Sequence, residues 1–205
     1  MNAFCRLLFP ARCVLCGAFD TDLCDNCERS TSPIELEEFD GVDQGWAASS
    51  YSGQLREVVI AYKSGTQNYA TGIAMLLASI AKSNQLGADA VVPVPSSPTA
   101  IKRRGYDTVG TIAQAVAQQL GCPNLPALSF KRLPKEQIGL NPRQRRLNLN
   151  KAFQATKTVP KRILLLDDVI TTGATISEAA RALKIAGAQK IFVVCLCRTL
   201  GRFTV

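Results

Sequence analysis

The stretch from residue 163 to residue 175 constrains the fold more than any other part of this chain. Ile163 to Leu166 are four consecutive apolar residues, which predict a buried strand that is covered on both faces. Asp167 and Asp168 follow directly, and a turn rich in threonine and glycine leads into a helical apolar stripe that starts at Ile176. Strands buried on both faces are typical of parallel sheets, whose strands are joined by crossover helices. The segment therefore predicts an α/β fold with a mostly parallel sheet.

Strand and helix patterns also alternate along the rest of the chain. The predicted strands are 46–51, 90–94 and 191–196, and the predicted helices are 53–63, 68–84 and 108–120. Short apolar segments at 128–130 and 152–153 flank a long polar segment.

An acidic linker precedes this alternating region. Residues 28–45 have few apolar side chains, although Ile34, Leu36 and Phe39 can pair the linker with a sheet edge. For a chain of 205 residues we predict two domains, a cysteine-containing head with linker (1–45) and an α/β body (46–205).

The turn after the predicted strand has the composition of a phosphate-binding turn. Backbone N–H groups and hydroxyls of such a turn can point at one anion, and the positive end of the following helix adds attraction. Asp167 and Asp168 would repel a phosphate, but they suit the hydroxyl groups of an adjoining sugar. The pattern predicts a pentose 5-phosphate ligand; the alternative is that the two aspartates only cap the next helix. The predicted phosphate contacts are Thr171, Thr172, Gly173, Ala174 and Thr175.

The head contains two CxxC pairs. Cys13 and Cys16 are followed by Cys24 and Cys27, and together they supply the four thiolate ligands of a closed, structural Zn²⁺ site. Two disulfides or two redox-active pairs are the alternatives. A segment this short buries too little apolar surface to fold alone, so metal binding would stabilise it. The chain has no histidine, which excludes Ser-His-Asp and Cys-His catalysis and any His-ligated metal.

The charge of the chain is unevenly distributed. The formal net charge is +8, yet residues 1–50 hold three basic and nine acidic side chains, so the body carries the positive excess. Residues 131–162 hold ten basic residues and one acid, Glu136. This segment is either an anion-contacting surface or an ordinary solvated loop. No apolar stretch is long enough for a membrane span, and no signal peptide is recognised, so we expect a soluble, cytoplasmic protein.

These motifs together resemble a known family. The apolar strand with Asp167, Asp168 and the Thr-Thr-Gly-Ala-Thr turn resembles the phosphoribosyl pyrophosphate (PRPP) motif of type I phosphoribosyltransferases. With the four-cysteine knuckle in front, the chain resembles the ComF/GntX-like (ComFC) family. The resemblance also includes Tyr51-Ser52-Gly53 to Lys63, Val92-Pro93-Val94-Pro95, Arg104-Gly105-Tyr106, and Gln137-x2-Leu140-x4-Arg145-x2-Asn148-x3-Ala152-Phe153. It departs from the family at Asp107-Thr108 and at Ser96-Ser97.

The resemblance implies a site for PRPP with Mg²⁺. Asp167 and Asp168 would be the catalytic-site acids on the ribose hydroxyls. Pyrophosphate would bind the turn after the second strand of the fold, and a hood at 131–150 would close over the substrate. The stretch Pro93 to Pro95 can alternatively be only a stiff strand end. The implied pyrophosphate and hood contacts are Ser96, Ser97, Arg103, Arg104 and Arg145.

Three functions remain open at this stage. The first is phosphoribosyl transfer from PRPP to an unidentified base or amine. The second, implied by the ComF side of the family, is binding of single-stranded DNA during natural transformation. The third is an adaptor for a helicase-like competence protein. The first two can coexist, and the predicted DNA contacts are Lys131, Arg132, Arg143, Arg145 and Arg146.

Overall fold

The computed structural model describes residues 10–132 and 151–199. Its strands are β1 (Ile34–Glu35), β2 (Gln44–Ser50), β3 (Ala90–Pro93), β4 (Leu128–Phe130), β5 (Phe153–Ala155), β6 (Arg162–Ile170) and β7 (Lys190–Arg198). In this part of the chain the main sheet has the order β1-β2-β7-β6-β3, and β4 pairs with β5 in a separate hairpin. Neighbours in the main sheet are parallel except β1, which is antiparallel to β2. The predicted mostly parallel α/β sheet is confirmed.

The helices of the described residues are α1 (Asp25–Ser30), α2 (Gly53–Lys63), α3 (Tyr69–Ser83), α4 (Pro98–Arg104), α5 (Thr108–Leu120) and α6 (Ala174–Ile185). Four of them, α2, α3, α5 and α6, cover the two faces of the sheet. Leu164 and Leu166 pack on the face that is covered by α2, α3 and α5, whereas Ile163 and Leu165 pack on the face of α6 and the hairpin. All four side chains are fully buried because a central strand has a core on each side.

Strand β6 and helices α1 and α4 differ from the sequence prediction, which had no helix at Asp25–Ser30. Strand β6 continues through both aspartates, because its pairing with β7 persists to the end and places Asp167 opposite Cys195. Helix α4 was not predicted, since it is short and has no apolar stripe. It begins where the Ser97 hydroxyl accepts a hydrogen bond from the backbone N–H of Ala100 (3.2 Å), with Pro98 in its first turn.

The head packs closely against α3. A Cβ atom on Gly72 would overlap the backbone oxygen of Asp22, so a glycine is required where the head meets the helix backbone. Val14 and Leu23 are buried in the same apolar cluster as α3. The linker also joins the body, because β1 pairs with β2, as predicted for Ile34. The domain boundary near residue 45 stays a prediction.

Within residues 10–132 and 151–199, no helix is both long enough and apolar enough to span a bilayer.

Candidate functional site

The carboxyl ends of β3 and β6 meet at one edge of the sheet. Pro93 lies opposite Leu166, and the next residue, Val94, donates its N–H to the backbone oxygen of Leu166 at 2.9 Å. The turn after β3 and the aspartates of β6 are therefore neighbours. Open α/β sheets bind ligands at this edge, beyond the carboxyl ends of their strands.

The turn that was predicted to bind phosphate leads into α6 at this edge. Gly173 heads the helix with a φ of 71°, a left-handed conformation that residues with a Cβ rarely adopt. A Cβ atom there would also overlap the ring of Phe39, so the linker closes one side of the turn. Thr171 is exposed, while Thr172 and Thr175 are half-buried. Backbone N–H groups at the start of α6 and nearby hydroxyls thus lie within one short turn.

Asp167 is a buried carboxyl. Its Oδ1 accepts a hydrogen bond from the backbone N–H of Asp168 at 2.9 Å, and 9% of the residue is exposed. Burial, followed by the negative charge of Asp168, raises the pKa of Asp167 to about 8. Near neutral pH the Asp167 carboxyl is therefore mainly protonated, and it can donate as well as accept a hydrogen bond.

Asp168 has a cationic partner that sequence reasoning did not single out. The Nζ atom of Lys63 lies 2.9 Å from Oδ1 of Asp168, and the two side chains are 28% and 12% exposed. Lys63 ends α2, and its neighbour Tyr62 donates its buried hydroxyl to the backbone oxygen of Thr108 at 3.1 Å. Tyr106 in turn donates its hydroxyl to the backbone oxygen of Tyr62. The end of α2 is therefore held beside the aspartates. The sequence signal that could have identified Lys63 was its position as the last residue of a predicted helix.

The predicted pyrophosphate turn is already internally bonded. The Ser96 hydroxyl donates to Oδ1 of Asp107 at 2.7 Å, and the Ser97 hydroxyl caps α4. Arg104 donates from Nη1 to a threonine hydroxyl of α5 at 3.1 Å, and Arg103 is exposed. The Ser96 proton is used by Asp107, whereas the Ser97 hydroxyl only accepts a hydrogen bond. A diphosphate at this turn would therefore rely on backbone N–H groups, the Ser97 proton and the arginines.

The four cysteines of the head form one cluster. The sulfur atoms of Cys13, Cys16, Cys24 and Cys27 all lie within 4.8 Å of one another, and those of Cys16 and Cys24 are 3.7 Å apart. Zn–S bonds of about 2.3 Å in a tetrahedron place sulfurs about 3.8 Å apart, so this set fits such an ion. Burial opposes ionisation of Cys13, but hydrogen bonds from the backbone of Cys16 and Cys24 lower its pKa to about 6. The cluster could therefore bind a metal ion, and all four thiols are free of disulfide bonds.

The predicted DNA contacts lie partly outside the described residues. Lys131 and Arg132 are exposed at the end of β4, where the N–H of Lys131 donates to the backbone oxygen of Ala152 at 2.8 Å. Arg143, Arg145 and Arg146 fall within residues 133–150, so their roles in the hood and in DNA binding stay predictions.

Comparison with known proteins places the chain in a family. The model of the phosphoribosyl transferase domain family matches residues 99–202, which is half of the chain. The chain therefore belongs to the phosphoribosyl transferase domain family. The matched range includes β6, the aspartates and the turn at the start of α6.

Relatives of this chain confirm the predicted resemblance to competence proteins. DNA utilization protein YhgH of Escherichia coli O157:H7 is 36% identical over 114 residues, which are 55% of this chain and 50% of that protein. Competence protein F of Haemophilus influenzae is 36% identical over 116 residues, 54% of this chain and 50% of that protein. The chain thus spans about half the length of these relatives. Among solved structures, adenine phosphoribosyltransferase from Leishmania tarentolae gives a TM-score of 0.42 at 11% identity, covering 80% of this chain and 94% of that chain.

Proposed function

We propose that this chain binds the ribose phosphate unit of PRPP or ribose 5-phosphate, and that it acts in the handling of single-stranded DNA during DNA uptake. The observation that carries the first part is the arrangement at the carboxyl end of β6. There a buried acid pair with its own lysine adjoins a glycine-headed turn at the start of a helix. Anion donors and sugar-hydroxyl acceptors are thereby adjacent, as a sugar phosphate requires.

The phosphate would bind at the start of α6. The helix is 12 residues long, so the N–H groups of its first turn and its dipole favour an anion there. Thr171 to Thr175 would add hydroxyl and backbone contacts. Phe39 covers Gly173 from the linker side and would exclude water from that side of the phosphate.

The ribose hydroxyls would bind the two aspartates, which differ in charge state. Asp168, paired with Lys63, would accept hydrogen bonds as a carboxylate. Asp167, mainly protonated near neutral pH, would both donate and accept.

A diphosphate on the same sugar would meet the turn after β3. The backbone of Ser96 and Ser97 would contact it, with Arg103 and Arg104 as forked donors. A Mg²⁺ ion would be held mainly by the diphosphate oxygens and would neutralise their charge. In the head, the cysteine cluster would hold a structural Zn²⁺ ion.

Phosphoribosyl transfer is the second candidate, and the match to the phosphoribosyl transferase domain favours it. The bond between C1 of the ribose and diphosphate would break, with its electron pair leaving on the diphosphate. A nitrogen of the acceptor would form the new bond at C1, and the carboxylate of Asp168 is the candidate base for the proton that it loses. The protein's contribution would be positioning and electrostatic stabilisation.

The DNA part of the proposal rests on charge and on relatives. Segment 131–162 is basic, and other elements of the body also carry exposed lysines. This positive charge suits a nucleic acid backbone. The similar proteins bear the names DNA utilization protein and competence protein F. A helicase-like competence protein as partner, and action in the cytoplasm, belong to the same proposal.

Calorimetric titration with PRPP–Mg²⁺ and with ribose 5-phosphate tests the sugar-phosphate site. We expect binding to be lost in Asp167→Asn/Asp168→Asn and kept in the matched control Asp89→Asn. Asp89 precedes β3 and pairs with Arg162, at the end of these strands away from the turn. If the double variant, checked for folding by circular dichroism, gave unchanged heats, the site would be elsewhere. Radiolabel transfer from PRPP onto a panel of nucleobases and amines tests turnover separately.

A further inference from the structure

A cavity lies at the opposite end of α6 from the phosphate turn. Its volume is about 490 Å³, and it opens between β5, the residues after it and the last turns of the helix. A cavity of this size accommodates a ligand as large as a nucleotide. It is distinct from the site at the start of α6, because the two ends of a 12-residue helix are about 18 Å apart.

The charge of this cavity has one sign. Among the described residues that line it there is no carboxylate, and the basic side chains are those of Lys131, Lys151, Lys157 and Arg181. Within residues 10–132 and 151–199, no ion pair involves any of the three lysines. The three ammonium groups are on exposed residues and available to an anion.

Arg181 has a fixed position at the cavity wall. Its Nε and Nη2 donate to the carboxylate of Glu178 at 2.8 and 2.7 Å, and Nη2 also donates to the backbone oxygen of Phe153 at 3.2 Å. Glu178 is buried, so these hydrogen bonds connect α6 to β5 at the wall of the cavity.

The cavity also has an apolar side. Ile185 is 76% exposed at the end of α6, beside Ala182 and Ala186. The ring of Phe153 lies beneath, packed against Phe130 at 4.9 Å between centroids. An uncovered isoleucine next to lysines and threonine hydroxyls suits a ligand with both an anionic group and a flat apolar face. A nucleotide unit combines these two features.

We propose that this cavity binds the phosphodiester backbone and a base of single-stranded DNA, as a site separate from the sugar-phosphate turn. The inference rests on the DNA part of the proposed function. The cavity presents three separate ammonium groups, those of Lys131, Lys151 and Lys157, which favours a ligand with several phosphates over a single nucleotide.

Fluorescence anisotropy with labelled (dT)20 tests the proposal. For Lys131→Ala/Lys151→Ala/Lys157→Ala we expect affinity at least 10-fold weaker near 0.1 M salt. The slope of log K against log salt should fall by about 2, since each single-strand phosphate contact contributes about 0.7. Ile185→Glu, on an exposed position, should weaken binding by a factor of about 5 or more. The matched control, Arg29→Ala/Arg56→Ala/Lys82→Ala, removes equal charge outside the cavity and should retain most of the affinity.

The outcomes separate this inference from the proposed function. Failure of the unmodified chain to bind (dT)20 would remove the DNA part of the proposed function and this site with it. Normal binding by the unmodified chain, together with equal losses in the lysine and control variants, would overturn this site alone. Displacement of (dT)20 by poly-glutamate, or by thymidine monophosphate at equal phosphate concentration, would overturn the assignment to a DNA strand. Unchanged ribose 5-phosphate heats in the lysine variant would support two separate sites.

Discussion

Removal of the Lys63 ammonium group perturbs the acid pair most selectively. In Lys63→Met the side chain keeps much of its length but loses its charge, and Asp168 is left beside Asp167 without a counter-ion. We expect the folded protein to be less stable and the pKa of Asp167 to rise further, because Lys63 now lowers it. Sugar-phosphate affinity should fall as well, since Asp168 would lose its fixed orientation.

The size of the effect follows from the burial of the pair. Exposed ion pairs contribute about 0–1 kcal/mol, and breaking a fully buried pair costs about 3–5 kcal/mol. The Nζ–Oδ1 distance is 2.9 Å, and the side chains are 28% and 12% exposed, between these limits. We therefore expect the free energy of unfolding to fall by about 1–3 kcal/mol at pH 7.

A double-mutant cycle measures this interaction. Urea unfolding would be followed for the unmodified protein, Lys63→Met, Asp168→Asn and the double variant. The lysine substitution should cost little in the Asp168→Asn background, because the partner charge is absent. An equal cost in both backgrounds would refute the reasoning, since the loss would then come from packing and not from the pair.

The other predictions concern the second aspartate, the turn and the head. Asp167→Asn should stabilise the protein increasingly as pH rises from about 4 to about 8. The pKa of Asp167 in the folded protein is raised above its usual value of 3.8, so the native carboxyl destabilises the fold once it must ionise. Urea unfolding at pH 5 and pH 9 checks this, and an equal effect at both would contradict it. Gly173→Ala should cost at least about 2 kcal/mol, from the left-handed φ and the overlap with Phe39. In a Phe39→Ala background the same change should cost only about 1–2 kcal/mol, from the dihedral alone; equal costs would exclude the overlap. One Zn²⁺ per chain is expected by elemental analysis, and Cys16→Ser should reduce it and lower the melting temperature; full metal content in the variant would rule out Cys16 as a ligand.

The regular elements were largely predictable from local pattern. Helix α5 was predicted with its observed bounds, because its apolar periodicity ends at Gly121, which adopts a left-handed φ of 68°. The central strand was placed correctly but was too short in the prediction. Two aspartates normally end a strand, yet here pairing with β7 continues past them.

The contacts around the site depend on long-range packing, which local pattern does not reveal. Lys63 meets Asp168 only because Tyr62 and Tyr106 hold the end of α2 beside α5. Phe39 reaches Gly173 from the linker, and Arg198 of β7 pairs with Glu37 close by. No periodicity links these positions, so the sequence predicted the turn and the acids but not the residues that hold them.

An amide-resolved NMR titration with ribose 5-phosphate tests whether the turn at the start of α6 binds the sugar phosphate. We expect saturable shifts that are largest at Gly173, Ala174 and Thr175, with smaller ones at Asp168. The absence of shifts in this turn at millimolar ligand, or shifts confined to the lysine cavity around β5, would contradict this expectation.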